Sequence, residues 1–381
     1  MTFAPRRHHV AGTGPRRGPR PALHALGCAA LLTGTALTIA AGTAGTAGAA
    51  QAAAPADGSV PAYLYVTSSA DDTVAVIGLS SDTVVNAFGH AGFTEWVSSP
   101  AEDELWGTLQ PTSPGVNGAG EVRGVSTSNF HPTGAYPLGT TAATSIGISA
   151  DGNTVYTLSP ADATISAVDV GGDGTVTNYP LTLAPGAVAQ DLVVDGTDLL
   201  GYVTDSTGTV TAIDLTTGDV EWSLSVGASA GTAVLSNDER ELYVENQAKA
   251  GGPLRVAEIN TSRGPVATQW KAEGDTFGPL AISADDTQVF AANPKGGAVD
   301  VLDTTTGKSD ATVHLGSSQQ PTALIADSDT LFIGTSPKQV VDAYSLVEKK
   351  IVARIATSSD LGNGPSVTEF ALGPAVPPYS T

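Results

Sequence analysis

Seven times along this chain an aromatic residue stands inside a short run of apolar and β-branched residues, at Tyr65, Trp106, Tyr156, Tyr202, Tyr243, Phe290 and Phe332, with spacings of 41, 50, 46, 41, 47 and 42 residues. The sixth unit shows the surrounding pattern in full. Leu280-Ala281-Ile282 leads to a turn at Asp285-Asp286, and Val289-Phe290-Ala291-Ala292 follows. Ala298-Val299-Asp300-Val301-Leu302-Asp303 then precedes a Thr306-Gly307 turn, and Ala311-Thr312-Val313-His314-Leu315 closes the unit. Alternation with period two, as in Thr209-Val210-Thr211-Ala212-Ile213-Asp214, marks half-buried strands. Four such strands in a unit of forty-odd residues, with no helical periodicity between units, predict the blades of a propeller. The expected fold is all-β: a seven-bladed β-propeller with four-stranded antiparallel blades.

A repeat also resolves the problem of size. About 330 residues exceed what one hydrophobic core usually serves, whereas a repeat core grows with each unit. The first unit opens at Tyr63 with what is a second strand everywhere else. Its missing first strand is assigned to the alternating run Ser366-Val367-Thr368-Glu369-Phe370-Ala371-Leu372 near the C-terminus. Pairing of that run with the N-terminal unit closes the ring and removes exposed strand edges. The expected organisation is a cleaved signal peptide over 1–52, a short linker over 53–61, the propeller over 62–373 and a tail over 374–381.

The leader rests on charge and hydropathy. Arg6, Arg7, Arg16, Arg17 and Arg20 precede an apolar stretch around Leu31, Leu32, Leu37 and Ile39, and Ala-x-Ala patterns follow at Ala47–Ala49 and Ala50–Ala52. That order is the one a secretory signal requires, and the apolar core is short for a membrane span. The choice between the general and the twin-arginine export routes stays open. Cleavage near Ala52 removes Cys28 and Met1, so the mature chain has neither residue, which excludes disulfides and thiolate metal sites. It also leaves twelve basic residues against thirty-eight acidic ones, a formal charge of about −26. Binding to nucleic acid by counterion release needs clustered Lys and Arg, and an anionic membrane surface disfavours the same sign. The acidity serves solubility and leaves cationic partners, Ca²⁺ or a basic protein, open.

The runs Tyr65-Val66-Thr67 and Tyr202-Val203-Thr204, with Pro321-Thr322-Ala323-Leu324 at a unit entry, resemble the YVTN-type repeat of secreted and surface-layer bacterial propellers. The resemblance covers about Tyr63 to Leu372. It implies the fold and leaves function wide, because members of that family range from adhesion and surface structure to lactonase-like and lyase-like enzymes.

No catalytic constellation stands out. His90, His131 and His314 fall on different blades and at different radii. Lactonase-like and lyase-like propellers set their ionisable groups around the channel, on first strands. Here those strands are apolar or small, with Glu95 and Asp191 the charges near that position, read as solvated groups at turns. Ala212-x-Asp214-x-x-Thr217-Gly218-x-x-x-Trp222 matches a tryptophan-docking motif of quinoprotein propellers. The other units lack it in full, so Trp222 is expected to serve inter-blade packing. The Asp-Gly and Asp-Asp turns lack the alternating order of a calcium loop. No cofactor and no metal are predicted; Ca²⁺ is left open.

Function is therefore sought in the loops that depart from the repeat, on the face carrying second-to-third-strand loops and blade-to-blade connections. Blade two expands over 110–120, which includes Asn117, and blade five over 245–252, which includes Glu245, Asn246, Gln247 and Lys249. Connections nearby add His90, Glu95, Asp275 and Phe277. This polar surface suits an extracellular protein partner or a cell-surface glycan, bound without catalysis. The rivals are a lactonase- or lyase-type enzyme using Glu95 and Asp191, and a structural spacer.

Overall fold

The computed structural model describes residues 63–373 except 69–70, 90–92, 100–103, 110–119, 263–266, 317, 338 and 358–366. The signal peptide, the linker and the tail lie outside the described residues. So do His90 and Asn117, with nearly all of the blade-two expansion.

Among the described residues, twenty-eight strands form seven four-stranded antiparallel sheets, each a meander of neighbouring strands. The one departure from sequence order is the first blade. There the strand at Val367–Gly373 pairs antiparallel with Tyr63–Ser68, placing Leu64 opposite Leu372 and Val66 opposite Phe370. The C-terminal strand is thus the inner strand of the N-terminal blade, and it also lies against the inner strands Gln320–Ala326 of blade seven and Phe93–Ser98 of blade two. Among the described residues no helix is long and apolar enough to cross a membrane.

The seven marker aromatics all sit in second strands and are buried; Tyr65, Tyr202 and Phe290 are fully covered. Cores form between blades rather than within them. Val66, Ile77, Phe332, Val341 and Phe370, for example, join blade one to blade seven. Each sheet buries both faces against its neighbours, so second strands show near-continuous burial while outer strands alternate, as in Pro132–Pro137.

Toward the rim, one position recurs in every outer strand. Phe88, Tyr136, Tyr179, Leu224, Trp270, Val313 and Ile355 stand opposite Val74, Val122, Ile165, Val210, Val256, Val299 and Val341. Three of these aromatics press on the turn between third and fourth strands of the following blade: Tyr136 on Gly174, Tyr179 on Gly218 and Trp270 on Gly307. Gly218 and Gly307 adopt φ of +80° and +63°, and a Cβ at either would overlap the ring. Glycine is required there twice over, by backbone conformation and by contact. At the joint of blades one and two, Phe88 instead stacks on Phe130, with centroids 4.7 Å apart. The docking tryptophan of this chain is therefore Trp270. Trp222, two residues short of that register, tilts against Tyr202 of its own blade at 5.9 Å and joins the apolar cluster between blades four and five.

Candidate functional site

The inner strands of blades two to seven surround a cavity of about 700 Å³. Glu95, Asp191 and Thr232 line it near the ends where the inner strands begin. Side chains two residues along a strand share a face, and Val97, Val193 and Val234 accordingly form the next tier of the wall. At the opposite mouth stands Glu239, in the turn after the inner strand of blade five. Among the described lining residues there is no Lys, Arg or His.

Neither channel carboxylate lies at a turn, contrary to the expectation from sequence. Glu95 belongs to the inner strand Phe93–Ser98 and is half-buried, and Asp191 belongs to Ala189–Asp195. Asp191 is fastened on both oxygens. Oδ1 accepts from Ser145 Oγ of blade three (2.8 Å) and from its neighbour Leu192 N (2.8 Å), while Oδ2 accepts from Ala233 N of blade five (2.9 Å). Burial pushes its carboxyl up, against the pull of the Ala233 N–H, the Ser145 hydroxyl and the Leu192 N–H. One side chain thus joins three blades.

The blade-five expansion is shorter than its sequence suggests. Glu245, Asn246 and Gln247 are not loop residues: they complete the second strand Glu241–Gln247, pair with Val256, Arg255 and Leu254, and are buried. The Glu245 carboxyl reaches the entry of blade six. Glu245 Oε2 accepts from Gly278 N (2.9 Å) and approaches Thr232 Oγ1 (3.4 Å), which itself donates to Gly278 O (2.5 Å). Its Oε1 is buried without a hydrogen-bond partner, and burial drives the carboxyl well above its ordinary range despite the Gly278 and Thr232 contacts. Thr204 occupies the equivalent place in blade four, and its hydroxyl donates to Gly231 O of blade five (2.7 Å).

Gln247 ends the second strand at the blade-entry face. Its Nε2 donates to Asp275 O (2.9 Å), and its Oε1 accepts from Gly251 N (2.9 Å) and Ser229 Oγ (3.2 Å). One buried amide thereby ties the loop after the second strand to the connection that enters blade six. Exposed Lys249 sits on the first, and Asp275 on the second pairs with Lys295 at 2.8 Å. Phe277, half-buried, presses on the Gly231 bulge. Of the nine residues expected in a binding surface, Lys249, Asp275 and Phe277 are brought together on this face; Glu245 and Asn246 lie beneath it, and Glu95 is in the channel.

The opposite face carries turns capped by their own aspartates. Asp285 accepts from Ser283 Oγ, Thr287 N and Thr287 Oγ1, and Asp151 accepts from Ser149 Oγ and Asn153 N. Such Asx turns need no ion. Asp195 differs: burial, with Glu239 and Asp198 nearby, raises it to about 6 against the pull of the Asp198 N–H.

Among solved structures, the β-propeller domain of Cps50 (Swd1) from Myceliophteria thermophila is similar, with a TM-score of 0.59 and 14% identity over 75% of this chain and 91% of that one. At that identity the likeness concerns the fold. No curated protein matches the sequence. The resemblance to the YVTN-type repeat holds at the coarser level of a propeller repeat. A family match over residues 82–353 covers most of the chain, and the protein belongs to the family described as outer membrane protein assembly factor BamB.

Proposed function

We propose that this chain is a secreted, non-catalytic interaction module that holds a protein partner in an extracellular or envelope assembly. The binding surface is the blade-entry face at the seam of blades five and six. The observation that carries the reading is the buried Gln247 amide, which fixes the loop bearing Lys249 and the connection bearing Asp275 as one surface before any partner arrives. Preorganisation of this kind lowers the ordering cost of association. A half-buried aromatic, Phe277, flanked by exposed charges of both signs matches the composition of interface centres and rims. The family's description as an assembly factor points the same way. The leader at 1–52 would deliver the module to the outside.

Photocrosslinking from the native host tests this. A photoreactive residue placed at Lys249 or Phe277 is expected to trap one protein, and the same residue at Asp238, exposed on the opposite face, is expected to trap none. Equal trapping from both faces, or trapping from neither, defeats the proposal.

A further inference from the structure

Glu245 holds the connection into blade six through contacts that turn on a single proton. Gly278 N donates to Glu245 Oε2 (2.9 Å), Gly278 O accepts from Thr232 Oγ1 (2.5 Å), and Thr232 Oγ1 stands 3.4 Å from Oε2. A threonine hydroxyl has one proton to give, and the 2.5 Å contact engages it at Gly278 O. The third contact of this circuit is therefore completed only when the carboxyl carries a proton and donates it to Thr232. Protonation also turns Oε1, buried without a hydrogen-bond partner, into a neutral carbonyl rather than half of an unmatched charge. Thr232 of the inner strand, Val256 of the third strand and Gly278 of blade six surround the carboxyl, and none of them is charged. Asp191 lies beyond the Ala233 amide, while Glu273, Asp275 and Lys295 lie exposed on the outer side of the connection. Burial raises the Glu245 carboxyl, against the Gly278 and Thr232 contacts, and no charged group contributes.

We propose that Glu245 is a proton-operated latch on the connection over 274–278. Protonated, it closes the circuit with Thr232 and Gly278 and keeps Phe277 seated on Gly231; ionised, it opens the circuit and frees that segment. Gln247, bound to Asp275 O, holds the other end of the connection and does not titrate. Thr232 also lines the channel, so water reaches the ionised carboxyl from that side. The consequence rests on the partner surface proposed above: the surface is set at lower pH, and the partner is released as pH rises.

Hydrogen–deuterium exchange of the segment 274–280 at pH 5 and pH 8, corrected for intrinsic rates, provides the test. In the wild type its protection is expected to fall about tenfold or more between the two, while the strand Thr209–Asp214 in blade four changes less than about twofold. Glu245→Gln still accepts from Gly278 N and cannot ionise, so its protection is expected to be level. Thr232→Val removes the acceptor of the proton and is expected to lower protection already at pH 5. Trapping from a photoreactive residue at Lys249 is expected to be stronger at pH 5 than at pH 8 in the wild type and equal in Glu245→Gln. Level protection in the wild type, a fall that persists in Glu245→Gln, or full protection of Thr232→Val at pH 5 overturns the latch. A partner trapped equally by the wild type at both pH values overturns its link to the surface. Failure to trap any partner defeats the partner surface alone, because exchange decides the latch without one.

Discussion

Two seams join blade five to blade six, and they are built on opposite principles. Near the channel the joint is polar: a buried carboxyl, Glu245, reaches across to the Gly278 amide, as Thr204 does one blade earlier with a hydroxyl. At the rim the joint is apolar, an indole laid against a glycine. Close packing makes the rim contact depend on shape and indifferent to pH. The inner contact depends on protonation, because a buried carboxyl with an unmatched oxygen is penalised when charged. The difference teaches that this joint is held at the rim by fit and nearer the channel by hydrogen bonds, and the two can be broken separately.

Trp270→Ala attacks the rim seam most directly. Loss of a buried indole is expected to cost about 3–5 kcal/mol, read from the urea midpoint at any pH between 5 and 8. Gly307→Val forces a branched side chain into a positive φ and onto that indole; about 2–3 kcal/mol is expected, and Trp270→Ala in the same chain should recover part of it. A fully additive double variant would mean that the two residues are not one joint.

Glu245→Gln probes the inner seam through pH. Burial raises the folded carboxyl well above the ordinary glutamate range, so the native state holds the proton more tightly than the unfolded chain. Stability is then greatest below the unfolded value, declines as pH rises through the window up to the folded value, and is level above it. One such group contributes at most about 1.4 kcal/mol per pH unit inside that window. The variant is expected to lose this component of the slope between pH 5 and 8, while Trp270→Ala keeps it. An unchanged slope in Glu245→Gln would remove Glu245 from the inner seam's pH response. The smallest effect belongs to the partner face. Asp275→Asn breaks an exposed ion pair and should change stability by less than about 0.5 kcal/mol, yet partner trapping at Phe277 should fall.

The blade count, the four-strand unit and the assignment of the Phe370 run to the first blade were all legible, because period-two alternation and the marker aromatics are local signals. Glu245-Asn246-Gln247 was misread for a physical reason. Three polar residues in succession look like a loop when alternation is the guide, and only acceptors and donors on other blades make them a strand. Trp222 packs between blades four and five, as its place in the sequence predicted; the rim-docking position is found by cross-strand register alone, which selects Trp270, opposite Val256 as Tyr179 stands opposite Ile165. The Asp191 staple spans residues 145 to 233 and left no trace in any local window.

The mixed first blade sets a timetable. Its inner strand, Val367–Gly373, is made after every other strand, whereas its partner Tyr63–Ser68 is made first. Throughout synthesis, then, the earliest strand waits with a bare edge, and blades two to seven can pack in succession while blade one cannot. The late arrival of Phe370 thus acts as a fastener that snaps shut only when the last strand has been made.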